Sequence, residues 1–159
     1  EAYGLEEHDV ELLRNASPMH DIGKIAIPDS VLLKNGKLTD EEREVMKTHT
    51  QLGYDMLRHS ERELLKAASV VAHQHHERWD GKGYPNGLSK KHIHVFGRIT
   101  AVADVFDALS CDRVYKKAWP REKLEAVFRE DSGTAFDPDL IEVYFNVADT
   151  LWEIREANL

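Results

Sequence analysis

Apolar residues recur along this chain at three- and four-residue spacing, and the pattern predicts helices from end to end. Between Glu6 and Ser17, Val10, Leu13 and Ala16 share one face, so this amphipathic stretch delivers His20-Asp21 just past its end. Pro28 and Asp29 start a loop, and Asn35-Gly36 marks a turn. Thr39-Asp40-Glu41-Glu42 has the form of a capping box. It predicts a helix running towards Thr50, with an apolar side from Val45 and Met46 and with His49 near its C-terminal end. Further helical pieces follow over Gln51 to Leu57 and Glu61 to His73, the second turning Leu64, Leu65, Ala68 and Val71 inward. Beyond a glycine-rich stretch, Phe96, Ile99, Val102, Ala103, Phe106 and Leu109 repeat with helical period. Asp104 interrupts that apolar helix, and a buried carboxylate there needs a partner or a metal. Pro120 starts a helix to Glu130. Asp137-Pro138 reads as an N-cap with proline at the first position, opening a last helix through Leu140, Ile141, Tyr144, Phe145, Ala148 and Leu151. Strand-like alternation is weak throughout. The expected fold is all-α, one domain over residues 1–159.

Composition narrows the function classes. A chain of 159 residues with 42% hydrophobic content supports one core rather than two. The sole cysteine, Cys111, excludes an intramolecular disulfide and fits helix packing in a reducing cytoplasm. No apolar run reaches the roughly 18 residues that cross a bilayer. A net charge of -8 argues against a long nucleic-acid partner, which wants a basic face. It leaves room for a small anionic nucleotide, held by metal cations and by local bases such as Lys24, Lys82, Arg113 and Lys116.

The candidate chemistry lies in His20-Asp21, His49, His75-His76 and Asp104, six imidazoles and carboxylates in four separate segments. Mixed nitrogen and oxygen donors suit Fe, Mn, Ni or Zn. A carboxylate that bridges two cations about 3.5–4 Å apart supports in-line displacement at phosphorus. A lone His-Asp is weak, and the chain carries a second one, His8-Asp9, in an acidic amphipathic stretch that reads as a solvated face. His20-Asp21 differs because Ile22-Gly23-Lys24-Ile25 follows it. The block His75-His76-Glu77-Arg78-Trp79-Asp80-Gly81-Lys82-Gly83-Tyr84-Pro85 is stronger, since it joins paired imidazoles to a tight loop. Glu77 is expected to hold a ligand imidazole by its free N–H, and Asp80 to pin the loop. His73 is placed in solvent or behind the ligands. His59, His92 and His94 are surface or loop residues, and Trp79, Trp119 and Trp152 are packing residues.

These motifs resemble the HD-GYP domains, bacterial members of the HD metal-dependent phosphohydrolase superfamily that degrade cyclic di-GMP. The resemblance continues through Ala103-Asp104-Val105-Phe106-Asp107-Ala108-Leu109 and Asp112-Arg113-Val114-Tyr115-Lys116-Lys117 to Ser132-Gly133-Thr134-Ala135-Phe136-Asp137-Pro138. It implies an HD-type helical bundle with a glycine-rich GYP loop (Gly83, Tyr84, Pro85). It also implies two or three divalent metals, Fe or Mn before Ni or Zn, on His20, Asp21, His49, His75, His76 and Asp104. His49, which alone on a helix reads as a packed or capping residue, becomes a ligand through it. His20, Asp21 and Lys24 become catalytic residues, with Lys24, Arg113 and Lys116 on substrate phosphate. The implied products are pGpG and then GMP. The implied partners are an upstream receiver or sensor domain and a diguanylate cyclase docked through the GYP loop. HD-GYP domains usually begin with a further helix that supplies one or two ligands. About twenty residues precede His20 here, so the expectation is a chain lacking that helix. Two alternatives stand beside this reading: a catalytically impaired regulatory module, and an HD hydrolase of another cyclic dinucleotide.

Overall fold

The computed structural model describes residues 2–112 and 117–158. Eight helices account for the architecture of the described residues: α1 (Glu7–Ala16), α2 (Asp29–Leu32), α3 (Asp40–Lys47), α4 (His49–Leu57), α5 (Glu63–Gln74), α6 (Val95–Ser110), α7 (Arg121–Asp131) and α8 (Pro138–Ala157). Three 3-10 turns, at Ser17–Met19, Ile22–Ala26 and Lys90–His92, fill the connections. Among the described residues the only β pairing is an isolated bridge between Ser132 and Phe136. The all-α expectation holds.

Local signals act where they stand. The Thr39 hydroxyl accepts from Glu42 N–H at 3.3 Å while the Glu42 carboxylate accepts from Thr39 N–H at 2.8 Å, closing the capping box of α3. Asp137 caps α8 by accepting from Asp139 N–H at 3.0 Å, with Pro138 at the first helical position. His94 caps α6 through its Nδ1.

The structure departs from the sequence reading in three places, two of burial and one of element boundary. No residue of α3 is fully buried, and Val45 is exposed. Leu64 is exposed too, because it sits in the first turn of α5 ahead of the buried run Ala67, Ala68, Val71 and Ala72. Pro28 caps the short α2 rather than opening a loop.

Two apolar clusters hold the helices. Leu13 and Ala16 of α1 pack with Ala67, Ala68 and Val71 of α5 and Phe96 of α6. Leu124 and Phe128 of α7 pack with Phe136 and with Ile141, Tyr144, Ala148 and Trp152 of α8, against Val102, Val105, Phe106 and Leu109 of α6. Helix α6 therefore spans both clusters, which fixes Asp104 at its middle. A buried ion pair ties the two halves as well: Arg98 of α6 meets Asp137, whose carboxylate is fully buried, and Arg98 Nε donates to Ile93 O at 3.0 Å.

Candidate metal centre

Four chain segments bring the candidate ligands together. His20 and Asp21 stand between the 3-10 turns Ser17–Met19 and Ile22–Ala26. The second turn lies directly on α4, because Gly23 offers no Cβ; one placed there would overlap the His49 carbonyl oxygen and come within 2.5 Å of Gly53 N. His49 begins α4. It does not end the helix opened at Thr39, since both the N–H and the hydroxyl of Thr48 turn back to the Val45 carbonyl and close α3 at Lys47. His75 caps the C-terminus of α5, with His76 after it.

The two oxygens of Asp21 face two sides. Oδ1 is 3.3 Å from His49 Nε2 and 3.8 Å from His75 Nε2. Oδ2 is 3.4 Å from His20 Nε2 and 2.5 Å from Lys24 Nζ. His20 Nε2 in turn stands 3.8 Å from Asp104 Oδ1. One donor atom from each of Asp21, His49, His75 and His76 falls within 4.8 Å of the others. All six side chains named from sequence are thus brought to one place, four of them in a tight group on the Oδ1 side and His20 with Asp104 on the Oδ2 side.

The imidazoles are oriented by the backbone. Nδ1–H of His20 donates to Ser17 O at 2.8 Å, that of His49 to Met46 O at 2.7 Å, and that of His75 to Val71 O and Ala72 O at 3.1 Å. With the ring proton on Nδ1, each Nε2 carries a lone pair into the cluster, which is how metal-binding histidines are held. Two of these lone pairs, on His49 and His75, face each other at 3.4 Å. Asp21 Oδ1 is buried with no hydrogen-bond partner. A lone-pair cluster around an orphaned carboxylate oxygen is unfavourable by itself and is relieved by a cation. The residues fit a divalent metal.

Electrostatics agree. Burial, followed by the charges of His76, His20 and His49, pushes the His75 imidazole down to about 3, and burial first of all pushes His76 down to about 4. His49 is lowered, again chiefly by burial. Burial alone would raise the Asp21 carboxyl, but hydrogen bonding to His20 and Lys24 wins and holds it below the usual carboxylate range. The hydrogen bond to Asp21 raises His20. His49, His75 and His76 thus present neutral nitrogens and Asp21 an ionised carboxylate, the states that bind metal, while His20 is the imidazole that Asp21 inclines towards protonation.

The glycine loop forms one wall. Gly83 packs on the backbone of residues 76–78, where a Cβ would lie 2.5 Å from Glu77 Cα and 2.6 Å from His76 O. Tyr84 N–H then donates to His76 O at 3.2 Å, and the Tyr84 ring lies 4.8 Å from that of His76. The Tyr84–Pro85 peptide is cis. Asp80 accepts from Lys82 N–H at 3.0 Å and pairs with Arg78.

A family model for the HD domain matches residues 1–140. The chain belongs to the HD domain family. Its HD-GYP motifs agree with that membership. Over 155 residues it is 45% identical to the "3'3'-cGAMP-specific phosphodiesterase 2" of Vibrio cholerae, an alignment covering 98% of this chain and 30% of that protein. Over 142 residues it is 48% identical to the "Cyclic di-GMP phosphodiesterase response regulator RpfG" of Xanthomonas campestris pv. campestris, covering 89% of this chain and 38% of that protein. The chain thus spans about a third of the length of these curated relatives. A crystal structure of a cyclic GMP-AMP specific phosphodiesterase from V. cholerae superposes with a TM-score of 0.64 at 23% identity, covering 92% of this chain and 40% of that one. That likeness carries the HD fold.

Within this HD domain several residues behave differently from the sequence reading. Glu77 does not touch a ligand imidazole. Its buried carboxylate accepts from Asn86 N–H at 2.8 Å and Leu88 N–H at 2.9 Å, so it clamps the far end of the glycine loop. The ring N–H groups of His20, His49 and His75 are taken by backbone carbonyls instead. Lys24 is not free at the mouth but paired with Asp21. Arg113 and Lys116 lie outside the described residues. Lys47, unmarked by any motif, sits with Nζ 5.5 Å from the Tyr84 ring centroid. Trp152 is buried in the core, as expected of a packing residue. His8 pairs with Glu63 on the surface, in keeping with a solvated face. No helix among the described residues is long and apolar enough to cross a membrane.

Proposed function

We propose that the chain is a metal-dependent phosphodiesterase that opens cyclic di-GMP to pGpG and then GMP in bacterial second-messenger signalling. One observation carries the reading: the Asp21 carboxylate stands between His20 on one side and His49 and His75 on the other, with its buried Oδ1 unpaired. His20, Asp21, His49, His75, His76 and Asp104 would hold two or three divalent cations, and the mixed N/O donor set favours Fe or Mn, with Ni and Zn also fitting. Bound there, such cations supply a water-derived nucleophile at neutral pH and neutralise charge developing on phosphate.

The remaining residues orient and steady the site. The carbonyls of Ser17, Met46, Val71 and Ala72 set the imidazole tautomers before any metal arrives. Lys24 offsets the Asp21 charge and, with its side chain 40% exposed, can turn to a substrate phosphate. Arg113 and Lys116 supply further phosphate contacts on the strength of their motif. Tyr84, kept protonated because burial and then the Asp21 and Asp104 carboxylates raise its hydroxyl, walls the site over His76. The wider assembly we propose carries an upstream receiver or sensor domain and meets a diguanylate cyclase at the Gly83-Tyr84-Pro85 loop.

A second substrate has specific support, because the relative that is 45% identical is named for 3'3'-cGAMP. One experiment addresses both. The protein is purified anaerobically, its metals per chain are measured, and turnover is followed on cyclic di-GMP and 3'3'-cGAMP side by side. The expected result is bound Fe or Mn and hydrolysis of cyclic di-GMP that Asp21→Ala abolishes. Preference for 3'3'-cGAMP would change the substrate, and full turnover by metal-free Asp21→Ala would sink the mechanism.

A further inference from the structure

Beside the metal cluster, side chains from α4, α5 and the glycine loop meet around His73. Its ring stacks on Tyr54 of α4, with centroids 4.2 Å apart and planes 14° from parallel. Its Nε2 stands 3.0 Å from Gln51 Oε1 and 3.3 Å from Asn86 Nδ2. The Gln51 amide is oriented from its other end, since its Nε2 donates to the Asp55 carboxylate at 3.0 Å and a carboxylate only accepts. Gln51 Oε1 therefore faces His73, and the His73 ring proton sits on Nε2. As placed, Asn86 Nδ2 faces that nitrogen; because Nε2 carries the proton, the network assigns the Asn86 amide with its O and N exchanged, so that its oxygen accepts from His73.

Asn86 is two residues past Tyr84, whose ring lies over His76. Its own N–H is held by Glu77 at 2.8 Å. The segment from Tyr84 to Leu88 is thus clamped from the core by Glu77 and from the side by His73. We propose that His73 is a positioning residue: through Asn86 it holds the Tyr84 wall against the candidate metal centre, and through Gln51 and Tyr54 it couples that wall to α4, which begins at His49. Only the turnover part of this inference rests on the function proposed above.

The test uses the full chain loaded with Mn2+ and two variants of one residue. His73→Phe keeps a ring on Tyr54 but removes both nitrogens, and His73→Gln restores a donor at similar reach. Lys82 lies exposed in the glycine loop and Lys37 in a distant exposed segment, so limited trypsin digestion reads the loop against an internal control. Losing one neutral hydrogen bond should speed cleavage after Lys82, relative to Lys37, by about five-fold, the equivalent of ~1 kcal/mol. His73→Gln should return most of that ratio, and metals per chain should stay at the parent level. On a cyclic dinucleotide, KM should rise by a similar factor with kcat less affected. An unchanged Lys82 to Lys37 ratio in His73→Phe overturns the proposal. If both sites are cut faster because the fold is weakened, Asn86→Ala, an exposed loop change, must show the Lys82-selective rise, and its absence overturns the proposal equally. A selective rise in a protein without turnover would sink the phosphodiesterase reading and leave the role of His73 standing.

Discussion

Gly23 and His49 touch backbone to backbone: the hydrogen on Gly23 Cα occupies the space in which a Cβ would strike the His49 carbonyl oxygen. This contact sets Asp21, two residues earlier, beside the His49 ring. Gly23→Ala should cost about 1–3 kcal/mol by forcing backbone apart and should lower metal content. Gly53→Ala meets its nearest atom, Ala72 Cβ, at 3.1 Å and should cost less. Urea midpoints and metals per chain for the two variants check the order, and equal stability of Gly23→Ala and parent would contradict it.

Asp21 should matter to metal more than to folding. Stripped of metal, Asp21→Ala removes a buried unpaired oxygen along with the ion pair to Lys24. The two losses oppose one another, so its stability should stay within about 1 kcal/mol of the stripped parent. Adding Mn2+ at a hundred times its dissociation constant should stabilise the parent by about 2.7 kcal/mol and the variant hardly at all. Thermal melts with and without Mn2+ decide this, and an equal shift in both would exclude Asp21 as a ligand.

Acid should destabilise the metal-stripped protein. His75 and His76 are lowered from 6.5 to about 3 and about 4, so the unfolded chain takes up their protons first. Their contribution is complete above pH 6.5 and drains away as pH falls towards 4 and then 3, by at most about 1.4 kcal/mol per pH unit for each histidine. His20, raised by Asp21, acts in the opposite sense: its contribution is present below 6.5 and is lost as pH rises. The net expectation is a urea midpoint that falls between pH 7 and 4.5, less steeply in His76→Asn. A midpoint flat across that range would rule out buried neutral imidazoles.

Breaking the Arg98–Asp137 pair should be among the most damaging single changes away from the metal centre. Removing one partner leaves the other charge buried, at about 3–5 kcal/mol, and Asp137→Ala also uncaps α8. Chemical denaturation of Asp137→Ala and Asp137→Asn measures it. A loss below 1 kcal/mol would mean that the pair is solvated.

Arg113→Ala and Lys116→Ala should retain metal and fold but bind substrate more weakly, by roughly 1.5–3 kcal/mol each. Normal KM values in both variants would return these residues to the solvated surface.

Much of this protein was legible in its sequence because the signals involved act over a few residues. The capping box at Thr39 and the Asp137-Pro138 start of α8 work within one turn, and both stand as read. Residue type drew attention to the six candidate ligands, since little else in a helical domain calls for so many imidazoles beside carboxylates, but His49 needed the motif resemblance to be read as one. What the sequence could not decide were contacts between distant segments. Glu77 looked like the support of an imidazole, yet Asn86 and Leu88 reach it first, because the loop folds back over it. His73 read as lying in solvent or behind the ligands, and only the approach of α4 gave it Gln51 and Tyr54 as neighbours. His49 changed helices because Thr48 satisfied its own hydrogen bonds backwards. Only the tertiary structure set the two oxygens of Asp21 towards different imidazoles. That depends on how closely the Gly23 turn packs on α4, a steric relation between residues far apart in the chain that hydrophobic period and motif spacing do not encode.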